Sequence, residues 1–247
     1  MRSLIFALQF LTRLPTPAIA NPAPDMLTKS AIWFPLVGMV IGAALVPPLM
    51  LGAPIDPWFG ALLAILCWVW ITGGIHIDGL ADLADALGAA HRDPERLLAI
   101  MRDPHTGSFG VLAICLLLAS KLILLMLLAR TPSFAWTIIL IPAWARLGTI
   151  IWSQSLPRLG TGLGHSFAQQ SRPLMVAIWV IALLCASWYL SPALLFAPLA
   201  LLGWWLFLKY KLNGMNGDCL GAGVEVVETV LLGIVIMAQH TLLQQTS

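Results

Sequence analysis

The chain has 247 residues, of which 60% are hydrophobic and only 10% charged, and its mean hydropathy is +0.91. Soluble domains carry roughly 25% charged residues, so this composition excludes an ordinary soluble protein and indicates an integral membrane protein. The net charge of +2 is too small to indicate a nucleic-acid partner. The four cysteines include no Cys-x-x-Cys pair, so neither a disulfide framework nor a zinc site is predicted.

Long apolar segments predict the fold. A membrane-spanning helix needs ~20 mostly apolar residues, and the chain offers these seven: 31–50, 57–75, 107–129, 133–152, 173–190, 193–208 and 221–242. We therefore expect an all-α, polytopic helical bundle in lipid, forming a single membrane-embedded domain over 1–247. Residues 1–30 are expected to form a short helix at the membrane surface, and Ser191-Pro192 predicts a tight hairpin between the fifth and sixth spans.

The basic residues predict the orientation of these spans. Cytoplasmic loops of membrane proteins carry an excess of Lys and Arg. With the N-terminus in the cytoplasm, the cytoplasmic parts hold ten basic residues and the opposite side holds only Arg130. The connections 76–106 and 209–220 are therefore predicted to be cytoplasmic loops, and they carry the polar clusters described next.

Three aspartates form the most informative cluster. Asp78, Asp82 and Asp85 are spaced i, i+4 and i+7, which on a helix places them within about 40° of one another. Like charges on one helix face are destabilising, so this spacing indicates a bound cation, most often a hard divalent ion. His76 precedes them on the same segment.

A second acidic group begins the last span. Asp218, Glu225 and Glu228 are spaced i, i+7 and i+10, so they share a face if the helix reaches back to Asp218. We expect the two groups to face each other across a cleft at the membrane surface. Mg²⁺ prefers carboxylate, water and phosphate oxygens, and its predicted protein ligands are Asp78, Asp82, Asp85 and Asp218.

Groups suited to phosphate lie in the same region. Arg102 is predicted to contact a phosphate, and Asp103 and His105 are candidates for substrate binding. Gly107 and Gly110 open the third span, where free N–H groups at a helix N-terminus can hold an anion. Carboxylates for a metal, a guanidinium group and a helix N-terminus together indicate a phosphoryl-transfer site.

Other interpretations remain open at this point. The three aspartates could be a solvated helical turn at the membrane boundary. Glu225 and Glu228 could complete the metal site, or they could pair with Lys121 or Arg146 as buried structural charges. A cation transporter is the alternative outside the enzymes, although its acids should lie near the middle of the bilayer and between interrupted helices.

Motifs spread over most of the chain resemble the cobalamin synthase family, the adenosylcobinamide-GDP ribazoletransferases. The resemblance is strongest over residues 73–85. Ala86 stands where the family usually has Gly, and the same departure makes residues 82–86 only a partial match to the CDP-alcohol phosphotransferases, which remain an alternative. The motifs are Phe10-Leu11-Thr12-Arg13-Leu14-Pro15-Thr16-Pro17, Phe34-Pro35-Leu36-Val37-Gly38, Gly73-Gly74-Ile75-His76-Ile77-Asp78-Gly79-Leu80-Ala81-Asp82-Leu83-Ala84-Asp85, Met101-Arg102-Asp103 with Gly107 and Gly110, Gly217-Asp218-Cys219-Leu220-Gly221-Ala222 and Glu225-Val226-Val227-Glu228.

The resemblance implies a reaction and a place for it. A hydroxyl of α-ribazole or its 5′-phosphate attacks the phosphate that joins cobinamide to GMP in adenosylcobinamide-GDP, and GMP leaves. Mg²⁺ is the expected cofactor, and Asp85 is preferred over His76 as the proton acceptor. The protein is expected in the bacterial inner membrane with its active site in the cytoplasm. The small residues of span 31–50 are a candidate surface for a homo-oligomer.

Overall fold

The computed structural model describes residues 2–23, 25–90, 94–159 and 173–246. Short 3₁₀ segments, Ala31–Trp33, Pro132–Ile139 and Pro192–Phe196, lead into three of the helices. Within the described ranges, strand-like pairing is limited to a single bridge between Arg158 and Met215. The helices are α1 Arg2–Leu11, α2 Met26–Ser30, α3 Phe34–Gly52, α4 Pro57–Thr72, α5 Ile75–Ala89, α6 Pro94–Ile100, α7 Ser108–Ala129, α8 Leu140–Ser155, α9 Pro173–Leu190, α10 Ala197–Lys211 and α11 Gly217–Thr246.

The helices confirm the predicted all-α membrane bundle. Six described stretches are long and apolar enough to cross a membrane, and the bent pair α4 and α5 raises the number to seven if it counts as one span. The predicted hairpin is also confirmed, because α9 ends at Leu190 and the next helical segment begins at Pro192. The six stretches are Met26–Gly52, Ser108–Ala129, Pro132–Ser155, Pro173–Leu190, Pro192–Lys211 and Gly217–Thr241.

A sharp bend separates α4 from α5. Gly73 and Gly74 both have positive φ, 67° and 73°, a conformation that glycine adopts without a steric penalty. The bend is 88°, so α5 does not continue along the axis of α4. The prediction of a loop over 76–106 is wrong where α5 and α6 form, because the bend ends the span and leaves a second helix with its own buried face.

The second predicted loop, 209–220, is also shorter than expected. Helix α10 continues to Lys211 and α11 begins at Gly217, which leaves residues 212–216 as the connection. The main-chain N–H of Met215 donates to the carbonyl of Pro157 at 2.8 Å, and Leu159 donates back to Met215 at 2.8 Å. This pairing holds the connection against the segment that follows α8.

Helix α8 is the most buried helix of the bundle, and α3 and α11 pack against it. A Cβ atom on Gly38 would lie 2.5 Å from the carbonyl oxygen of Pro142, and one on Gly42 would lie 2.5 Å from that of Ile138. Small residues allow such close helix approach in membranes. Gly38 and Gly42 therefore pack inside the chain, and the oligomer interface predicted for the small residues of span 31–50 stays a prediction.

The N-terminal segment forms the expected short helix, α1. Ala7 and Leu11 are buried against the bundle. The indole N–H of Trp33 donates to the hydroxyl of Ser3 at 3.1 Å. The rings of Phe10 and Phe34 stack with centroids 5.9 Å apart and planes inclined by 10°, so α1 is anchored beside the start of α3.

Candidate active site

The site lies where the first turn of α11 crosses α5. A Cβ on Gly79 would lie 2.9 Å from the carbonyl oxygen of Asp218 and 3.0 Å from its Cα, and a Cβ on Gly221 would lie 3.3 Å from the Cα of His76. The two glycines therefore allow the backbones to approach closely. This crossing brings Asp218, predicted from the second acidic group, next to the aspartates of α5.

The acids that meet at this crossing repel one another. Asp78 is exposed, whereas Asp82 and Asp218 are half-buried. The carboxylate of Asp82 interacts unfavourably with the negative charges of Asp78, Asp218 and Asp85. Asp218 Oδ2 accepts a hydrogen bond from Asn216 Nδ2 at 2.9 Å. The two helices thus present a cluster of oxygen ligands with unfavourable mutual repulsion, and a divalent cation would relieve it.

The geometry of this cluster limits what kind of metal site it can form. In the part of the chain that the structure describes, no three His, Cys, Asp or Glu side chains lie close enough together to hold one ion. Mg²⁺ commonly uses only one or two carboxylates, with water and substrate phosphates completing its octahedron. The residues present fit an ion that arrives with its phosphate ligand better than one held in a preformed protein cage.

Asp85 has a different role from its two neighbours on α5. Its Oδ2 accepts the main-chain N–H of Gly107 at 2.7 Å, and its Oδ1 accepts that of Gly110 at 2.9 Å. The buried Asp85 carboxylate therefore caps the N-terminus of α7, where a negative charge is stabilised by the helix dipole. The N–H groups that were predicted to be free for a substrate anion are paired with Asp85.

Glycine is required at this cap for a simple steric reason. A Cβ on Gly107 would lie 2.5 Å from Asp85 Oδ1, and the Cβ position of Gly110 is similarly crowded by Asp85 Oδ2. The carboxylate can approach both amides only because neither residue has a side chain. With both oxygens engaged, Asp85 is a positioning residue between α5 and α7 in this structure, and its predicted roles as metal ligand and proton acceptor are not supported by these contacts.

Glu225 and Glu228 form a buried ion cluster with two cations. Lys121 Nζ lies 2.6 Å from an oxygen of each glutamate, and Arg146 Nη1 lies 2.7 Å from the other oxygen of Glu228. Lys121 also lies 4.1 Å from the ring centroid of Trp68. The structure therefore shows the structural alternative for these glutamates, in which opposite charges compensate each other away from water.

His76 lies between the acidic site and the ion cluster. Its side chain is buried, and its Nδ1 has no hydrogen-bond partner among the described residues. His76 interacts electrostatically with Arg146 and Lys121, and it also lines a cavity with Asp78. A role as proton acceptor stays a prediction.

The turn between α6 and α7 carries the remaining predicted residues. Asp103 Oδ1 accepts the main-chain N–H of His105 at 3.0 Å and lies 2.7 Å from its Nδ1. These bonds lower the pKa of Asp103. Both residues and Arg102 are exposed. The preceding Met101 contacts Asn216 through its sulfur at 3.4 Å, so the turn adjoins the start of α11.

The N-terminal segment contributes residues that had no predicted role. A cavity of about 230 Å³ and a larger one of about 700 Å³ both have Asp78 in their walls. Phe10 lines both cavities, and Arg13 lines the larger one. Both residues belong to the motif over 10–17. The sequence signal that could have identified Arg13 is a single cation directly after an apolar helix.

The comparison with known proteins decides the family. The family model described as cobalamin-5-phosphate synthase matches residues 3–236. The chain belongs to this family. Three relatives named adenosylcobinamide-GDP ribazoletransferase come from Laribacter hongkongensis, Novosphingobium aromaticivorans and Thiobacillus denitrificans, and they are 51%, 48% and 47% identical to it. The alignments cover 96%, 94% and 94% of this chain and 98%, 95% and 94% of the respective relatives.

Membership in the cobalamin-5-phosphate synthase family confirms the resemblance seen in the motifs. The matched residues 3–236 include both acidic groups and the N-terminal segment that lines the cavities. No solved structure matches the chain. The family match favours the adenosylcobinamide-GDP ribazoletransferases over the CDP-alcohol phosphotransferases and the cation transporters.

Proposed function

We propose that this protein is an adenosylcobinamide-GDP ribazoletransferase that acts late in cobalamin assembly. The observation that carries the proposal is the 51% identity, over nearly the full length of both chains, to a relative with that name. The crossing of α5 and α11 supports it, because clustered aspartates beside two cavities suit phosphoryl transfer between two substrates.

The proposed reaction is a displacement at phosphorus. A hydroxyl oxygen of α-ribazole or α-ribazole 5′-phosphate forms a bond to the phosphate attached to cobinamide. The bond from that phosphate to the GMP oxygen breaks, and GMP leaves with the electron pair. The hydroxyl proton passes to a base on the enzyme, and the product is adenosylcobalamin or its 5′-phosphate.

Mg²⁺ is the proposed cofactor, and it would be held by one or two of the carboxylates of Asp78, Asp82 and Asp218 together with phosphate oxygens of the substrate. Bound there, the ion would neutralise the pyrophosphate and stabilise the charge on the departing GMP. The aspartates supply oxygen ligands from two helices, which the glycines at the crossing keep close together. Asp85 orders α5 against α7 and so fixes the position of Asp82 one turn earlier.

We propose His76 as the proton acceptor in place of Asp85, and because burial and the nearby Arg146 and Lys121 disfavour a charged imidazole, the proton would be passed on rather than kept. Both oxygens of Asp85 already accept main-chain hydrogen bonds, whereas His76 lines the smaller cavity beside Asp78 and Asp218. A neutral imidazole has one nitrogen that can accept a proton. Arg102, exposed at the edge of the site, is proposed to contact a substrate phosphate.

The site is proposed to face the cytoplasm from the inner membrane. The order of the spans along the chain places four basic residues at helix ends on the same side as the aspartates: Arg13, Arg102, Arg158 and Lys211. Arg130 follows the opposite end of α7. This distribution follows the positive-inside rule.

Product analysis tests the proposed function. The purified protein, in detergent or liposomes, would be incubated with adenosylcobinamide-GDP, α-ribazole 5′-phosphate and Mg²⁺, with and without EDTA. We expect equal amounts of GMP and a new cobalamin phosphate, and no product with EDTA until Mg²⁺ is restored. Folded protein that gives no product with either ribazole or its phosphate would contradict the proposal, and product formation that survives EDTA would contradict the role of the metal.

A further inference from the structure

The two cavities beside the aspartates lie side by side. Phe10, Ile75 and Asp78 line both of them. The smaller has a volume of about 230 Å³ and the larger about 700 Å³. A transfer between two substrates requires two binding spaces that meet at the reacting atoms, and Asp78 marks the place where these two spaces meet.

The smaller cavity has walls that suit a flat aromatic ring. Buried Leu11, Phe34 and Leu220 form its apolar lining. The stacked rings of Phe10 and Phe34 are part of its lining, and aromatic rings favour offset-stacked or edge-to-face contacts with another ring. Charged residues in its lining, Asp78 and Asp218, belong to the acidic site, so a ring bound there would direct a polar substituent toward them.

The size of the smaller cavity selects among the proposed substrates. Sites for drug-sized ligands are roughly 300–1,000 Å³, and this cavity is smaller than that range. It has room for a bicyclic heterocycle, and not for a corrin ring or a whole nucleotide. Among the groups in the proposed reaction, the base of ribazole and the two purines of the donor have this size and shape, and the base of ribazole is the least polar of them, which suits the apolar lining.

Polar side chains and one guanidinium group lie in the lining of the larger cavity. Gln9, Thr12, Thr72 and the exposed Arg13 border it. The guanidinium of Arg13 makes one long contact, 3.5 Å, from Nη2 to the carbonyl oxygen of Gly73. A guanidinium group presents five N–H donors in a geometry that matches phosphate oxygens, so this cavity suits a phosphate-containing substrate.

We propose that the smaller cavity binds the heterocyclic base of the ribazole acceptor and the larger cavity binds the phosphate-bearing part of the donor. The acceptor hydroxyl and the donor phosphate then meet beside Asp78. This inference rests on the proposed function and adds to it the assignment of each substrate to a place. It also makes Leu220 and Phe34 determinants of which base is accepted.

Two matched substitutions test the assignment. Leu220→Phe narrows the smaller cavity only, and Leu118→Phe narrows the larger cavity only. Each variant would be assayed with adenosylcobinamide-GDP and two acceptors, the ribosides of benzimidazole and of 5,6-dimethylbenzimidazole. Leu220→Phe should lower kcat/KM for the dimethylated acceptor about tenfold or more relative to the smaller acceptor, as expected for added bulk in a hydrophobic pocket, with the donor KM unchanged.

The control variants should give the reverse pattern. Leu118→Phe adds bulk to the larger cavity and Arg13→Gln removes its guanidinium group, so both should raise the donor KM. For Arg13→Gln the expected rise is about tenfold, from the loss of a charge-assisted phosphate contact. Both variants should leave the ratio between acceptors unchanged. If Leu220→Phe does not fold, Leu220→Ala enlarges the same cavity and should shift the ratio toward the larger acceptor.

The outcomes separate this inference from the proposed function. An active enzyme in which Leu220 variants change the donor KM and leave the acceptor ratio unchanged would overturn the assignment of the cavities. An effect of Arg13→Gln on the acceptor alone would also overturn it. Folded wild-type protein that forms no product with either acceptor, supplied as the riboside or as its 5′-phosphate, would instead refute the proposed function.

Discussion

The three acids of α11 have different surroundings near the start of the helix and further along it. Asp218 is in the first turn and faces the aspartates of α5, so its neighbours carry the same charge. Glu225 and Glu228 come seven and ten residues later, roughly 10–15 Å along the helix, and they face Lys121 and Arg146 at 2.6–2.7 Å. The spacing of all three acids lets them share one face of α11, but Asp218 faces negative charges and the two glutamates face positive charges.

The comparison teaches how to separate structural acids from reactive ones in an apolar bundle. A buried charge is costly unless it is paired, and the glutamates meet that condition inside the protein. The aspartates at the crossing repel one another, and we propose that a bound ion or substrate compensates their charge. The glutamates should therefore matter for stability and the aspartates for turnover, and the following predictions test that division.

The largest expected effect is on stability, in Glu228→Gln. The change removes the charge that holds both Lys121 and Arg146, and breaking a buried pair costs about 3–5 kcal/mol. The measurement is denaturant or thermal unfolding in detergent. Asp78→Asn, at an exposed acid of α5, is the matched control and should change stability by less than ~0.5 kcal/mol. Equal unfolding curves for the two variants would contradict the structural role of the cluster.

A charge-balanced double variant sharpens this result. Lys121→Met alone leaves two glutamates against Arg146, whereas adding Glu225→Gln leaves one glutamate paired with one cation. The loss of stability in the double variant should be smaller than the sum of the two single losses by about 0.5–3 kcal/mol, the range of coupling between residues in one ionic network. Additive losses in a double-mutant cycle would show that Lys121 and Glu225 act independently.

Asp85→Asn should have an intermediate effect on activity. An amide keeps one acceptor oxygen, so one of the N–H groups of Gly107 and Gly110 loses its partner. Loss of a supporting hydrogen bond of this kind typically lowers activity about 10- to 100-fold, and the product assay measures it. If Asp85 were the proton acceptor, the loss would be far larger and the pH profile of kcat would change.

The smallest expected effect is at the exposed turn before α7. Asp103→Asn removes the negative charge beside His105 on the surface, and should change unfolding stability by less than ~0.5 kcal/mol. KM for both substrates should stay close to the wild-type values. A marked rise in the donor KM would show that the sequence-based assignment of Asp103 to substrate binding is right and that the turn closes on the site.

The parts of the fold that depend on local sequence were predictable. Each span needs only a run of apolar residues, and the shared face of Asp78 and Asp82 follows from helical periodicity. The pair Gly73-Gly74 also signals a break in the helix. The predicted loop over 76–106 begins close to this break, but it was wrongly extended through the residues that form α5.

The division among the acids was not predictable, because it depends on contacts distant in sequence. Asp85 and Asp82 have equivalent positions in the periodic pattern, and only the approach of residues 22 and 25 positions away distinguishes them. The partners of Glu225 and Glu228 lie 82 to 107 residues away. Lys121 and Arg146 could be named as candidates because charges within spans need partners, but the choice required the packed bundle.

The most direct test of this division is the turnover of Asp82→Asn. The variant keeps the shape of the side chain and removes the charge at the centre of the repelling aspartates. With saturating Mg²⁺ and both substrates, we expect GMP release to fall at least about 100-fold, as for the loss of a group that stabilises transition-state charge, while unfolding in detergent stays at the wild-type midpoint or rises. Near-normal turnover by the folded variant would contradict the account.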